Sequence, residues 1–396
     1  MTTPAVSVRE GHPDFLDLDW STPINDWTDE RIVELPTGIH RHPVRFVSYP
    51  EGVYVVKELV RRVAYHEFET LRALETQLSR VGTAVAVVDR PWLTGDIEGS
   101  GVVITSYVDY AFTYRELVSE GGFGRSRDKM LDAFAGLLVE LHLAGCFWGD
   151  CSLSNVLYRY DAGAIEAVMI DAETAEIHET LTDGQRYYDI DIMTLNVAGE
   201  MADIAASRGL DIDDADMSLG EDIAHRYAAL WSELENELLI GPDERYKIRA
   251  HVSRLNELGF DLDELDLIPT DDGSERVKVK VQVAGRNFHS TRLRELTRIE
   301  ASENQARQIL ADLAYYEARN ATVTATGKSL TAIKWRVDVF EPLLAGITAD
   351  APADADPVQL YTDFLHHRYL LAATLGRDVG NDEAYESWIA EGMPGY

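Results

Sequence analysis

Apolar and polar positions alternate along "PVRFVSYPEGVYVVKEL", where two β-branched runs flank the turn signal "YPEG". A period of two predicts a β-hairpin, Val44–Tyr49 paired with residues 53–59. The period then lengthens. Ala64, Phe68, Leu71, Leu74 and Leu78 recur at helical spacing in "AYHEFETLRALETQLSR", which predicts an amphipathic helix. "TAVAVVDRPWL" and "GVVITSYV" read as two more strands, so a β-β-α-β-β order ends near Tyr110. Beyond it the texture is helical. "RDKMLDAFAGLLVELHLAG" predicts a helix with Gly145 as its C-cap. Two short strands, 156–159 and 167–170, flank "DAGA", and "DIDIMTLNVAGEMADIAASRG" is the next helix. Two helices, a small strand-and-helix region over 259–285 and a helical remainder follow, interrupted by the loop "APADADP". The polar residues 1–30, with Trp20 and Trp27 among them, read as an extension lying on a domain surface, and the acidic "LDIDDADMS" reads as a linker.

At 396 residues the chain predicts two or three domains. Its 69 acidic residues against 36 basic ones leave a formal charge of -33. That balance argues against a surface that binds nucleic acid or anionic membrane as a whole, and leaves room for a local basic patch. No apolar run is long enough to span a bilayer. The first twenty residues lack a basic segment followed by an apolar one, so the expected location is the cytoplasm. Cys146 and Cys151 are the only cysteines. With His142 as the nearest histidine their spacing matches no common zinc pattern, so they read as small buried residues rather than as metal or redox sites.

Those cysteines flank Asp150 in "LHLAGCFWGDCSLSNVLY", with Asn155 five positions further on. Lys57 ends a strand in "VYVVKEL", Glu67 lies on the following helix, and Asp171 closes a strand in "VMIDAE". A strand lysine suits nucleotide phosphates and a helix glutamate can orient it. A loop aspartate can meet an acceptor hydroxyl, while a loop asparagine and a strand-end aspartate offer hard oxygens to Mg²⁺. Each residue alone has an ordinary reading: Lys57 as a solvated lysine, Asp150 and Asn155 as turn residues, Asp171 as a loop cap. Their order and element types together carry the argument.

In these motifs the sequence resembles the lipopolysaccharide-kinase-like branch of the protein-kinase-like fold, over roughly residues 34–207. More closely it is similar to bacterial proteins in which such a region precedes a C-terminal domain of unknown function, through "ENQARQILADL", "VFEPLLAGI" and "HHRYLLAATLGRDVG". The resemblance implies ATP and Mg²⁺ as cofactors. It makes Lys57 the phosphate-binding lysine, Glu67 its brace with Glu69 as the weaker candidate, and Asp150 the catalytic aspartate. Asn155 and Asp171 become the metal ligands, Tyr107 and Val108 the adenine hinge, and Asp191 the helix aspartate bracing the catalytic loop, with Asp189 as the rival. The chain also departs from the pattern. "ELPTGIHRHPVRF" offers only Gly38 as a loop glycine, with Arg41, His42 and Arg45 as cationic substitutes. Trp148 and Gly149 precede Asp150 where many protein kinases have His and Arg, and Trp148 reads as packing. These departures favour a small-molecule or atypical kinase, or an inactive relative.

A second feature is "RVKVKVQVAGRNFHSTRLRELTR". Arg276, Lys278 and Lys280 alternate with valines, and Arg286, Arg292, Arg294 and Arg298 continue the charge. This is a candidate patch for an anionic or nucleic-acid partner. The competing reading is an edge strand kept soluble by lysine, or pairing with the chain's own acidic surface. The expected fold class is α+β: a two-lobed protein-kinase-like domain followed by a mostly helical α+β domain. The expected divisions are an extension at 1–30, an N-lobe at 31–109, a C-lobe at 110–215 and a C-terminal domain at 216–396. The expected activity is ATP- and Mg²⁺-dependent phosphoryl transfer to a hydroxyl of an unidentified acceptor. The alternative is a nucleotide-binding module of weak or no activity.

Overall fold

The computed structural model describes all residues except 1–3, 36–41, 91–98, 119–125, 210, 212–213, 236–237, 241–245, 270–276, 321–324, 353–354 and 396. The chain is α+β and divides into two compact units, one of Met1–Tyr158 with Ala167–Leu230 and the other of Arg159–Glu166 with Trp231–Tyr396. The division falls after Leu230, against an expected boundary at 215.

The first unit opens with β1 (Ala5–Val8), β2 (Ile32–Val33), β3 (Val44–Tyr49), β4 (Gly52–Val60), α1 (Arg61–Glu75), β5 (Ala84–Arg90) and β6 (Ser100–Ser106). The strands form one six-stranded sheet in the order β1-β5-β6-β4-β3-β2, antiparallel throughout. Alternation along β4 decides what faces where. Tyr54 and Val56 enter a core with Val85, Val88, Val102 and Ile104, while Val55 and Lys57 line a cleft on the other side. The N-terminal residues are more than a surface extension. β1 adds an edge strand, and Phe15, Leu18, Trp20, Ile24 and Trp27 complete that same core. The Trp20 indole donates to the Phe15 carbonyl at 2.7 Å and stacks edge-on against Trp27.

The unit continues with β7 (Phe112–Thr113), α2 (Tyr114–Val118), α3 (Arg127–Leu143), β8 (Cys146–Phe147), β9 (Val156–Asp161), β10 (Ala164–Met169), β11 (Glu176–Ile177), α4 (Asp183–Arg208), α5 (Asp214–Met217) and α6 (Leu219–Leu234). The α3 helix ends at Ala144, and Gly145 follows at φ 73°, where a Cβ would stand 2.0 Å from the His178 carbonyl oxygen. Only glycine fits that turn. A capping box of Thr182 and Gln185 starts α4 at Asp183, six residues ahead of the predicted helix. The acidic stretch read as a linker contains α5, within the first unit.

The second unit holds β12 (Leu238–Ile240), α7 (Tyr246–Glu257), β13 (Asp261–Pro269) and β14 (Val277–Gly285). It then holds α8 (Phe288–Thr297), α9 (Glu303–Asn320), α10 (Ala325–Trp335), α11 (Glu341–Asp350), α12 (Pro357–Leu375) and α13 (Asn381–Ala390). Leu293, Ile309, Leu313, Trp335, Phe364 and Trp388 are central to its core. The basic strand β14 is the middle strand of the sheet β12-β14-β13, so it is not an edge. The tip of the β9–β10 hairpin belongs to this unit. Asp161, fully buried, accepts from the backbone N–H groups of Asn304 and Gln305 at 3.1 and 2.8 Å, and from Asn304 Nδ2 at 2.9 Å. It therefore caps α9 from a distant part of the chain.

Candidate functional site

In the first unit β4 and α1 face each other across the floor of the cleft. The period of α1 that buries Ala64, Phe68, Leu71 and Leu74 also buries Glu67, whereas Glu69 is exposed on the opposite side. Lys57 Nζ lies 3.2 Å from Glu67 Oε2, 2.6 Å from Asp171 Oδ2 and 3.4 Å from Glu173 Oε2. Burial works against the Lys57 charge, but the three carboxylates outweigh it and hold its pKa above the ordinary lysine value. Burial dominates for Glu67, and the neighbouring acids Asp171 and Glu173 add to it, so its pKa rises to about 7 despite Lys57. For Lys57, Glu67 is the largest of the charges that raise it, and Asp171 makes the shortest contact, 2.6 Å.

The strand-end placement of Asp171 follows from the backbone. The Ile170 N–H donates to the Asn155 carbonyl at 3.1 Å, which sets Asp171 beside the loop. The Trp148 indole donates to the Asp171 carbonyl at 2.9 Å, and Thr174 Oγ1 donates to the Trp148 carbonyl. Trp148 is fully buried, yet it does more than pack. Asn155 Nδ2 donates to the Asp150 backbone carbonyl at 2.9 Å and reaches Oδ2 of the same residue at 3.4 Å. Asp150, Asn155, Asp171 and Lys57 thus line one cavity of about 290 Å³. An adjoining cavity of about 140 Å³ has apolar walls that include Val44, Val55, Val103 and Ile170, with Tyr107 and Val108 at its rim. The Tyr107 N–H donates to the Val53 carbonyl at 2.9 Å, and its ring rests edge-on against Phe46.

Asp189, rather than Asp191, carries the bonds to the loop that holds Asp150. It accepts from the N–H groups of Trp148 and Gly149 at 2.8 Å each, and from Cys151 Sγ at 3.2 Å. His142 Nε2 lies 3.1 Å away. Burial raises the Asp189 pKa, but these donors together bring it below the ordinary carboxylate value. Asp191 is exposed. Both cysteines are buried and free, and burial pushes the Cys146 thiol up to about 12.

The sequence reading missed Glu173, Asn196 and Glu200. Glu173 stands two residues after Asp171 and pairs with His42 Nε2 at 3.2 Å. Asn196 and Glu200 are one helical turn apart on α4, a spacing that marked them as sharing a face without saying what that face meets. The loop glycine Gly38 and, of the cationic substitutes, Arg41 lie outside the described residues, and Arg45 turns to the Asn25 carbonyl at 2.7 Å. Fit to a dication rests on the donor set. Glu67, Asp171 and Glu173 each place an oxygen within 4.8 Å of the others. Glu67 Oε2 and Glu173 Oε2 are buried with no hydrogen bond, Glu67 meeting Lys57 and Glu173 meeting both Lys57 and His42 as ion pairs. Clustered hard oxygens of that kind suit Mg²⁺.

Among the described side chains the basic stretch is dispersed. Arg276 lies outside the described residues, and Lys278 and Lys280 are described by backbone alone, with Asp266 the register partner of Lys280. Arg286 Nε donates to the Leu258 carbonyl at 2.7 Å and its guanidinium covers Phe260. Arg292 pairs with Glu295 at 3.7 Å, Arg294 is exposed, and Arg298 takes the left-handed C-cap of α8.

Comparison with known proteins divides along the chain. Residues 229–393 match the model of a domain of unknown function, DUF4032. Among solved structures, WaaP in complex with acyl carrier protein aligns over 58% of this chain and 88% of that one, with 15% identity and a TM-score of 0.36. No curated protein matches the sequence. No helix among the described residues is long and apolar enough to cross a membrane.

Proposed function

We propose that the first unit transfers a phosphoryl group from Mg²⁺-bound ATP to a hydroxyl acceptor. The observation that carries this reading is Lys57 held by Glu67 and Asp171 in the same cavity as Asp150 and Asn155. Adenine would occupy the apolar cavity. Because the Tyr107 N–H is committed to Val53, the Tyr107 carbonyl and the Val108 backbone would meet the base. Lys57 would hold the phosphates, with Glu67 as its brace. Asn155 and Asp171 would hold Mg²⁺, with Glu173 beside them, and the bound ion would neutralise phosphate charge. Asp150 would orient the acceptor and take its hydroxyl proton while the acceptor oxygen bonds to the γ-phosphorus. The bond to the bridging oxygen breaks and its electron pair leaves with ADP. The work is positioning and charge stabilisation. The likeness to lipopolysaccharide kinases rests on sequence motifs, and no residue here reads a sugar.

A second reading is a nucleotide-binding module without turnover whose C-terminal domain binds a partner. The loop before β3, with Gly38 as its one glycine, favours it. Labelled ATP with Mg²⁺ separates the two. Phosphate release or transfer by the parent, lost at least about a hundredfold in Asp150→Ala, is the enzyme's result. Asp171→Asn should weaken Mg²⁺-dependent ATP binding about tenfold or more, because a neutral amide attracts a hard dication poorly. Nucleotide binding with no turnover in the parent supports the module. A parent that binds no Mg²⁺ATP removes both.

A further inference from the structure

One face of α4 meets the catalytic loop at three places. Asp189 holds the backbone of residues 148 and 149. Asn196, two turns later, donates through Nδ2 to Asp150 Oδ1 at 3.0 Å and to the Cys151 carbonyl at 3.2 Å. Glu200, a further turn on, accepts from the N–H groups of Leu153 and Ser154 at 2.8 and 3.0 Å. Positions 189, 196 and 200 recur at seven and four, so they form a single stripe along the helix. The loop is thereby gripped in sequence order, residue 148 to residue 154, by a rigid element. Asp189 and Glu200 act on the loop backbone. Asn196 alone of the three reaches the side chain of Asp150.

We propose that Asn196 is a positioning residue for Asp150, a role that rests on the phosphoryl-transfer reading above. A carboxylate on a loop can rotate about its side-chain torsions, and only one of its oxygens can take the acceptor proton at a time. The Asn196 amide occupies Oδ1. Oδ2 keeps only the longer contact with Asn155 Nδ2, whose shorter bond goes to the Asp150 carbonyl. Asn196 therefore selects the rotamer in which Oδ2 is presented to the cavity. Both residues line that cavity, so the bond lies where an acceptor would bind. An oriented base is worth more than a mobile one because the reacting atoms start near their transition-state distance.

The test is a double-mutant cycle on the full chain, with Asn196→Leu and Asn196→Asp read alone and combined with Asp150→Ala. Leu keeps the volume and removes the donor; Asp keeps the shape and replaces a donor with a like charge. With labelled ATP and Mg²⁺, Asn196→Leu should lower kcat by about ten- to a hundredfold while KM for ATP stays within about twofold. Asn196→Asp should fall further, Asn196→Ser should recover part of the loss, and neither Leu nor Asp should lower kcat again once Asp150 is Ala. Equal losses with and without Asp150 overturn the proposal, because Asn196 would then act on the loop and not through the aspartate. If the parent shows no turnover, the phosphoryl-transfer reading fails, and thermal unfolding of the same variants decides the contact by itself. A drop in Tm for Asn196→Asp that vanishes in the Asp150→Ala background supports the bond. A drop that persists there overturns it.

Discussion

Glu67 is the residue in which burial and pairing compete most directly. It is 1% exposed and shares Lys57 with two other carboxylates, so one lysine faces three acids. Asp171 holds the lysine at 2.6 Å, which leaves Glu67, at 3.2 Å, the less compensated acid. Its pKa is raised from 4.5 to about 7 in the fold, by burial first and by Asp171 and Glu173 after it. Between those two values the folded chain binds more protons at this position than the unfolded one. Stability therefore falls as pH rises through that window and levels off above it. Replacing Glu67 with Gln should remove this part of the slope, an effect on the order of 1–3 kcal/mol between pH 4.5 and 7.5. Urea denaturation of parent and variant at several pH values measures it. Equal slopes in the two proteins would show that Glu67 binds protons alike in the folded and unfolded chains and that its pKa is not raised. Glu200, also raised mainly by burial, contributes a fall of the same sign that the Gln variant keeps.

At the scale of elements, Asp161 shows what a linear reading could reach and what it could not. The "DAGA" turn between two short strands was legible from Gly163, which takes φ 81° freely, while its neighbour Ala162 adopts a φ of 49° that alanine rarely takes. From the sequence Asp161 was an ordinary turn acid. Its actual partners, Asn304 and Gln305, lie more than 140 residues away, and no local pattern encodes a contact of that range. The same limit hid the pairing of β4 with β6, the entry of residues 5–27 into the sheet and its core, and the central place of β14. Periodicity identified most strands and helices because each must bury one face. Order within a sheet depends on which faces meet, which periodicity does not record. The candidate site residues were legible for a different reason: Asp150, Asn155 and Asp171 stand in or beside loops, where chemistry constrains residue type, and Lys57 is the one basic residue of a mostly apolar strand, although it lies inside β4 and not at its end as the sequence suggests. Asn196 and Glu200 were not, because mid-helix polar residues are common on solvated faces. Asp161→Ala should leave two buried amides at the start of α9 without an acceptor and cost about 1–3 kcal/mol. Asp161→Asn retains an oxygen and should cost less, about 1 kcal/mol, through the lost charge at a helix N-terminus. Chemical denaturation followed by circular dichroism distinguishes them. A silent Asp161→Ala would mean that water satisfies the α9 amides.

For the whole molecule the deciding quantity is the charge of -33. A polyanion approaching it meets net repulsion, which a cationic site must overcome locally. In the stretch that would have to do so, the described side chains do not gather their charges. Arg286 is turned onto a carbonyl and a ring of its own unit. Arg292 and Arg294, two residues apart on α8, point to different sides of the helix, and Arg298 lies at its C-terminal cap. Pairing within the chain and binding of an anionic partner predict opposite results in solution. The full chain should pass through a heparin column at about 150 mM salt and should not shift the anisotropy of a labelled single-stranded oligonucleotide at micromolar protein. Binding, if dominated by phosphate contacts, would announce itself by a steep fall in affinity with salt, each contact contributing about -0.7 to the logarithmic slope on a single strand. A steep slope that Arg292→Ala with Arg294→Ala reduces by about 1–1.4 would show that the two arginines converge on one ligand despite their helical spacing, and the dispersed-charge reading would be wrong. Flow-through with no slope leaves the positive residues of 276–298 as internal counter-charges in an acidic chain.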